Sequence, residues 1–135
     1  MKEQLLDTLK NSRNYTLSVA EAMPHESFDF KPSAEVWSFG ELMDHIAYSI
    51  TWWTENYING NEITWNPPPE KDSKDDIIVY LKNTYDSLKS TIESQEIAGN
   101  AVHGFHATID HITHHRGQAV TYLRCKGITP PEYIY

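Results

Sequence analysis

Apolar side chains recur every three or four residues along most of this chain, which is the spacing of one face of an α-helix. The first stripe of this kind includes one threonine and comprises Leu5, Leu9, Thr16, Val19 and Met23. Pro24 follows at once, and proline cannot continue the helical hydrogen-bond ladder. The pattern predicts a first helix over residues 2 to about 23.

Residues 25–37 have no helical period, although they are rich in aromatic side chains. We expect an ordered connection in which Phe28, Phe30 and Trp37 pack onto the helices. Ser38 and Glu41 then have the spacing of a capping box, in which each side chain satisfies the backbone N–H of the other residue. They predict a second helix over residues 39 to 59, ending at the helix-stopping pair Asn59-Gly60.

The apolar stripe of this second helix comprises Leu42, Ile46, Ile50, Trp53 and Tyr57. Residues 61–72 are polar and contain three consecutive prolines, so we expect an extended loop at the end of the bundle. Ser73 is placed to cap a third helix, and Asp75 and Asp76 suit the positive end of its dipole. The buried stripe of the third helix is predicted to comprise Ile77, Leu81, Thr84 or Tyr85, Leu88 and Ile92.

A fourth helix is predicted over about residues 104–126, with Gly127 as its left-handed terminator. The sequence ITPPEYIY that follows is too rich in proline for a helix and should lie along the surface, over the bundle or a partner subunit. Four amphipathic helices with one long crossover and no strand pattern predict an all-α fold, a four-helix bundle of up-down type. We expect residues 1–135 to form a single domain.

Charge and composition exclude several classes of function. The formal charge is −8, with 11 basic against 19 acidic residues, which argues against nucleic-acid binding. No run approaches the roughly 20 apolar residues of a membrane span, and MKEQLLDTLK is charged where a signal peptide is apolar. Cys125 is the only cysteine, which excludes an internal disulfide or a cysteine-based zinc site. We therefore expect a soluble, cytoplasmic protein that does not interact with membranes.

Histidines are the most informative polar residues. His111 and His115 are four residues apart in the fourth helix, so both rings can reach one cation. A zinc-like ion usually takes three or four protein ligands, and a third must come from elsewhere in the chain. The other histidines are His25, His45, His103, His106 and His114.

His45 is the best third ligand among these, because it lies in a helix among apolar neighbours, where an unpaired imidazole is costly. His114 is turned roughly 100° from His115. His103 and His106 lie at or before the predicted start of the fourth helix, and His25 lies in a connection that contains proline. Spacing alone leaves open that these are core histidines without metal, and a hydrogen-bonded core histidine is the commoner case.

Several residues near these histidines are further candidates for a role in the site. Gln118 lies near the ligand face and could hold water or substrate, although a helix-packing amide is the simpler interpretation. For Arg116 a salt bridge or an interface is favoured over substrate binding. Glu41 could act as a base but is better explained as a cap, and Asp44 and Asp110 point away from the site. The aromatic residues Tyr48, Trp52 and Tyr122 are expected in the core or in a pocket wall.

Two segments together resemble the DinB-like family of damage-inducible four-helix bundles regarded as metalloenzymes. They are HITHHRGQAVTYLRCKGITPPEY and KPSAEVWSFGELMDHIAYSITWW, and with RNYTLSVAEAMP the resemblance spans essentially the whole chain. It implies a divalent metal ion bound by His45, His111 and His115, and zinc or nickel suits such an all-nitrogen ligand set best. The extra histidines His103, His106 and His114 depart from the family pattern.

The resemblance also implies a homodimer and a stress-related, metal-dependent enzyme. Thiol-dependent S-transferases and an isomerase using low-molecular-weight thiols are the relatives that suggest the chemistry, with a hydrolase as another possibility. The alternative is a non-catalytic dimeric module in which the metal joins two helices. A catalytic site keeps an open coordination position, whereas a structural one is closed.

Overall fold

The computed structural model describes residues 1–135 and contains helices and no strands. The long helices are α1 (Lys2–Ala22), α2 (Phe39–Trp53), α3 (Lys74–Ser94) and α4 (Asn100–Cys125). A short 3-10 turn, His25–Ser27, follows α1, and a π-helical turn, Thr54–Ile58, continues α2. The predicted four-helix bundle is therefore confirmed, and both α2 and α3 begin at the predicted serine caps.

Contacts at the helix ends give the directions of the helices. The Lys74 ammonium at the start of α3 donates to the carbonyls of Glu21 and Met23 at the end of α1. The Lys2 ammonium at the start of α1 donates to the carbonyl of Glu93 near the end of α3. These two helices therefore run antiparallel.

The helix α2 runs in the same direction as its neighbour α3. Near their starts Gly40 lies against Ile77, and beyond their ends the Gln95 amide donates to Asn59 Oδ1 at 2.8 Å. Each of α1 and α2 packs against both α3 and α4, so the order around the bundle is α1, α3, α2, α4. In direction the helices are up, down, down, up, because α4 is antiparallel to α2.

Two parallel helices need a connection that returns along the bundle, and residues 59–73, which we call the crossover, provide it. Its backbone N–H groups donate to α2 at two successive points. Asn66 donates to the Tyr48 hydroxyl at 2.9 Å, and Lys71 donates to Asp44 Oδ1 at 3.2 Å. The prediction that this loop lies at the end of the bundle is therefore wrong, because the crossover runs back along α2.

The core confirms most of the predicted stripes. The predicted residues of α1 and α3 are all buried, as are Leu42, Ile46 and Ile50 of α2. Tyr57 is an exception, at 48% exposed. It lies in the π-helical turn, where extra residues per turn shift the helical phase and rotate the side chain away from the core. Phe28, Phe30 and Trp37 of the connection all pack onto the helices as predicted, although Trp37 remains 46% exposed.

The fourth helix begins at Asn100, earlier than the predicted residue 104. Gly104 had suggested a helix start, but its role is a close approach between helices. A Cβ atom on Gly104 would lie 2.3 Å from the Tyr57 carbonyl oxygen, so only glycine lets α4 pack this tightly on the π-helical turn. His103 and His106 are consequently exposed residues inside α4. Gly127 has φ 76°, as expected for the predicted terminator.

The C-terminal segment lies along the surface over α1, as predicted. The Tyr15 hydroxyl donates to the Pro131 carbonyl at 3.1 Å, and the Tyr133 ring packs edge-on against the Tyr15 ring. None of the helices combines the length and the apolar character needed to cross a membrane.

Candidate metal centre

The structure brings His45, His111 and His115 together between α2 and α4. One nitrogen from each ring lies within 4.8 Å of the others, and the three side chains are half-buried. We call these three residues the histidine cluster. Three convergent imidazoles form a group that could hold a divalent metal ion, since imidazole nitrogen suits first-row metals such as zinc and nickel.

Local helix geometry and one close approach build this cluster. His111 and His115 are separated by one turn of α4, and their ring centroids are 4.6 Å apart. His45 comes from antiparallel α2, with its ring centroid 4.5 Å from that of His115 and 5.3 Å from that of His111. Gly104 lies two turns before His111 and allows α4 to approach the end of α2 closely.

The hydrogen bonds of His115 define the nitrogen that faces the cluster. Its Nδ1 lies 3.0 Å from Gln118 Oε1, and since this oxygen only accepts, Nδ1 carries the proton. His115 Nε2 then presents a lone pair, 3.1 Å from His45 Nε2, which must donate its own proton to form a hydrogen bond. Binding a cation between these two nitrogens requires His45 to move its proton to Nδ1. Gln118 is therefore not the packing amide considered above, because it is exposed and its Oε1 orients the His115 ring.

The third ring contains an unsatisfied polar atom. His111 Nδ1 is buried and has no hydrogen-bond partner. A buried nitrogen without a partner costs free energy, and a bound cation is one way to satisfy an imidazole in such a position. The three residues therefore fit a metal ion in donor type, in spacing and in this unpaired nitrogen.

All three imidazoles are held neutral by their surroundings. Burial lowers the pKa of His45 to about 4, with further contributions from His115 and His111. Burial also lowers the pKa of His111 to about 4, followed by the effects of His115 and His114. The pKa of His115 is lowered by burial too, although its hydrogen bond to Gln118 works in the opposite direction. Neutral rings at physiological pH are the form that binds metal.

Indole rings surround the cluster. Trp37 lies on one side of His45 with a centroid distance of 4.7 Å, and Trp65 of the crossover lies at 5.4 Å. Trp53 lies 5.7 Å from the ring of His111. The Tyr122 hydroxyl donates to the Trp37 carbonyl at 2.7 Å, which ties this part of the connection to α4. The cluster is thus bordered by three indole rings.

A cavity of about 190 Å³ lies between α2 and the crossover, and His45 is the member of the cluster that lines it. Apart from two prolines it is lined by aromatic, acidic and histidine side chains: Trp37, Glu41, Asp44, His45, Tyr48, Trp65 and Glu70. We call it the crossover cavity. His45 belongs to both the cluster and this cavity, so a molecule in the cavity lies beside the cluster.

Two acidic residues of the cavity have altered acidity. Burial raises the pKa of Asp44, against the effects of the Lys71 backbone N–H and of the Lys71 charge. Burial also raises the pKa of Glu70, which is increased further by the charges of Glu41 and Asp44. Asp44 was predicted to point away from the site, and it lies outside the histidine cluster while lining the cavity next to His45. It differs from His45 by about 100° around α2, but the cavity is wide enough to include both.

Other predictions about nearby residues have mixed outcomes. Glu41 forms the capping box with Ser38, and it also lines the cavity. The salt bridge expected for Arg116 is not formed. Its guanidinium is buried, lies 4.9 Å from the Tyr15 ring and donates to Thr16 Oγ1 at 3.3 Å. The remaining four histidines lie outside the cluster: His25, His103, His106 and His114.

Sequence reasoning missed Trp65, which helps to enclose the site. It lies in a segment without helical period, so no helix-face argument could place it. A large aromatic residue beside three prolines in a polar segment was the only available indication that this segment packs against the bundle.

Comparison with known proteins defines the class. The fold of this chain is similar to that of a DinB-like protein from Bacillus subtilis. That structure has 21% sequence identity and a TM-score of 0.79, over 97% of this chain and 98% of the other. A DinB-like protein from Bacillus cereus ATCC 10987 is similar at 17% identity and a TM-score of 0.78, over 96% and 95%.

The sequence profile of the DinB superfamily matches residues 8–119. The chain belongs to the DinB superfamily, as its sequence motifs had indicated. Comparison with curated proteins finds no significant match.

Proposed function

We propose that this protein is a metal-dependent enzyme whose metal ligands are His45, His111 and His115. The observation that carries the proposal is the convergence of three neutral imidazoles beside an accessible cavity. A structural metal site is usually closed by four protein ligands, whereas three ligands leave a position for water or substrate. Zinc and nickel suit this all-nitrogen set best.

A divalent cation at this position would supply Lewis acidity, which makes water or a thiol a stronger acid and hence a source of nucleophile at neutral pH. The protein's own residues supply orientation and shape. Gln118 holds the His115 ring through its Nδ1–H, and the indoles of Trp37 and Trp65 limit access of solvent to His45. We infer a thiol-dependent S-transferase or a hydrolase, with a low-molecular-weight thiol as co-substrate in the first case.

Metal binding is tested by elemental analysis and by zinc and nickel titration of protein purified without a tag or chelator. We expect one metal ion per chain in the wild type and loss of stoichiometric binding in His45→Ala, His111→Ala and His115→Ala. His114→Ala is the matched control, because this neighbouring histidine is exposed and lies outside the cluster. Retention of stoichiometric metal by the His45→Ala variant would contradict the ligand assignment.

Catalysis is tested separately, by assaying the metal-loaded protein for thiol conjugation of electrophiles and for hydrolysis. Turnover that disappears in His115→Ala and persists in His114→Ala supports the enzyme. Stoichiometric metal with raised thermal stability and no turnover in either assay favours the alternative, a module in which the metal joins α2 to α4.

We further infer a homodimer that acts in the cytoplasm in a stress response, on the basis of the family resemblance. Light scattering of the purified chain at several concentrations tests the dimer. A mass equal to that of one chain at all concentrations contradicts it.

A further inference from the structure

The crossover cavity has a chemical character that the histidine cluster alone does not explain. Three of its side chains are carboxylic acids, and no lysine or arginine lines it. The nearest basic residue in sequence, Lys71, directs its ammonium to the ring of Tyr80, at 4.9 Å. None of the three acids takes part in a salt bridge of this chain. The cavity lining is therefore acidic, and the charge of Lys71 acts on Asp44 from outside that lining.

The most buried of these acids makes one hydrogen bond within the chain. Asp44 is only 7% exposed, and Lys71 donates its backbone N–H to Oδ1 at 3.2 Å. The second oxygen, Oδ2, is not among the buried atoms that lack a partner, so it keeps access to solvent. Because Asp44 lines the cavity, this oxygen is available to a cation or a donor that enters there.

The cavity also has exposed aromatic faces beside its acidic side chains. Trp37 and Trp65 are each 46% exposed, although both rings lie against His45. The Tyr48 ring packs edge-on against the Trp65 ring, with the ring centroids 4.6 Å apart. Exposed indole faces attract organic cations through the ring quadrupole, and carboxylates beside them add charge attraction. A bare metal ion would need the acids but not the indoles.

The geometry points to an ammonium-binding pocket: we propose that the crossover cavity binds the cationic amine or quaternary ammonium group of the substrate. The volume of about 190 Å³ is below the roughly 300–1,000 Å³ of sites for drug-sized ligands, so it accepts a small molecule or one head group. This inference rests on the proposed function, because it makes the cavity the substrate site of the metal centre through their shared residue, His45.

The test uses choline as a probe, with 3,3-dimethylbutan-1-ol as the uncharged compound of nearly the same shape. Binding is measured by calorimetry and by tryptophan fluorescence at constant ionic strength, on metal-free and zinc-loaded protein. We expect choline to bind at least tenfold more tightly than the alcohol. Equal binding of the two, or no binding of choline, overturns the proposal.

Variants then locate the site. Asp44→Asn keeps the size and the Oδ1 acceptor while removing the charge, and we expect choline binding at least tenfold weaker. Asp110→Asn is the matched control, because this exposed acid also precedes a cluster histidine and lies outside the cavity. Trp65→Leu changes an exposed crossover residue and provides a second variant should Asp44→Asn fold poorly. Equal loss in Asp110→Asn would indicate general charge attraction and overturn the proposal.

The same samples separate this inference from the metal centre. Stoichiometric zinc in the wild type without choline binding overturns the ammonium pocket alone. Absence of zinc with choline binding intact overturns the metal centre and leaves the pocket. A second zinc ion that disappears in Asp44→Asn and displaces choline would assign the cavity to metal and overturn the ammonium proposal.

Discussion

Replacement of Gly104 by alanine tests whether the close approach of α4 to the π-helical turn holds the site together. The new Cβ would lie 2.3 Å from the carbonyl oxygen of Tyr57 and 2.8 Å from its carbonyl carbon. Both are backbone atoms, which a rotamer change cannot move, so α4 must shift away. Overpacking of this kind costs up to about 3 kcal/mol, and the better helix propensity of alanine recovers about 1 kcal/mol. The net expected destabilisation is about 2 kcal/mol.

Thermal unfolding followed by circular dichroism measures this difference. For 135 residues the unfolding entropy is about 0.28 kcal/mol/K, so the expected change in Tm is a fall of about 7 °C. Gly117→Ala is the matched control in the same helix, because no atom lies within 4 Å of its added Cβ and the site is exposed. It gains only helix propensity, about 1 kcal/mol, and its Tm should rise by about 3 °C.

The same displacement should reach the metal centre. His111 lies two turns after Gly104, so moving this part of α4 separates its ring from His45. We expect zinc affinity to fall at least tenfold in Gly104→Ala and to stay unchanged in Gly117→Ala. A Gly104→Ala protein with wild-type Tm and wild-type zinc affinity would refute the claim that glycine is required at this contact.

Four further predictions concern protonation and hydrogen bonds. The cluster histidines have folded pKa values below the ordinary value of about 6.5, so the unfolded chain binds more protons than the folded chain at acidic pH. The free energy of unfolding of the metal-free protein should therefore fall as the pH drops from about 6.5 toward 4. Denaturant titrations at several pH values measure this fall. Zinc affinity should hold as the pH falls through 6.5 and weaken as it approaches the folded pKa values of His45 and His111, about 4; a midpoint at or above pH 6.5 would contradict the neutral rings. Gln118→Ala should weaken zinc binding about 10-fold or more by calorimetry, since it frees the His115 ring, and unchanged affinity would refute the orienting role. Tyr85→Phe should lower the free energy of unfolding by about 1–3 kcal/mol in urea, because the buried hydroxyl bonds Ser12 and Thr16 at 2.9 Å; a neutral effect would contradict this.

Periodicity and capping were sufficient to predict the helices, because both depend on residues close in sequence. The stripe from Ile77 to Ile92 and the Ser38–Glu41 capping box are local patterns, and both are present. The phase change after Trp53 could not be predicted in this way, since a π-helical turn has no signature in a period of 3.6 residues. Gly104 was misread for a related reason. Its requirement comes from Tyr57, which is distant in sequence, and not from the end of a helix.

The histidine cluster was predictable to the extent that it depends on one helix. His111 and His115 are adjacent through the helical repeat alone, and His45 followed from the cost of burying an unpaired imidazole. The neighbours that give the site its character were not predictable. Trp65 and Asp44 meet beside His45 only because the crossover runs along α2, and that path depends on the directions of the helices.

Helix direction thus links the fold to the chemistry of the site. Because α2 and α3 are parallel, the chain must return along the bundle between them, and the hydrogen bonds of Asn66 and Lys71 to α2 fix the path of that return. The return brings Trp65 over His45 and closes one wall of the crossover cavity. An antiparallel pair joined by a short turn would leave the cluster open to solvent, with no acidic and aromatic pocket beside it. The long crossover is therefore the element that places an acidic and aromatic cavity beside the histidine cluster.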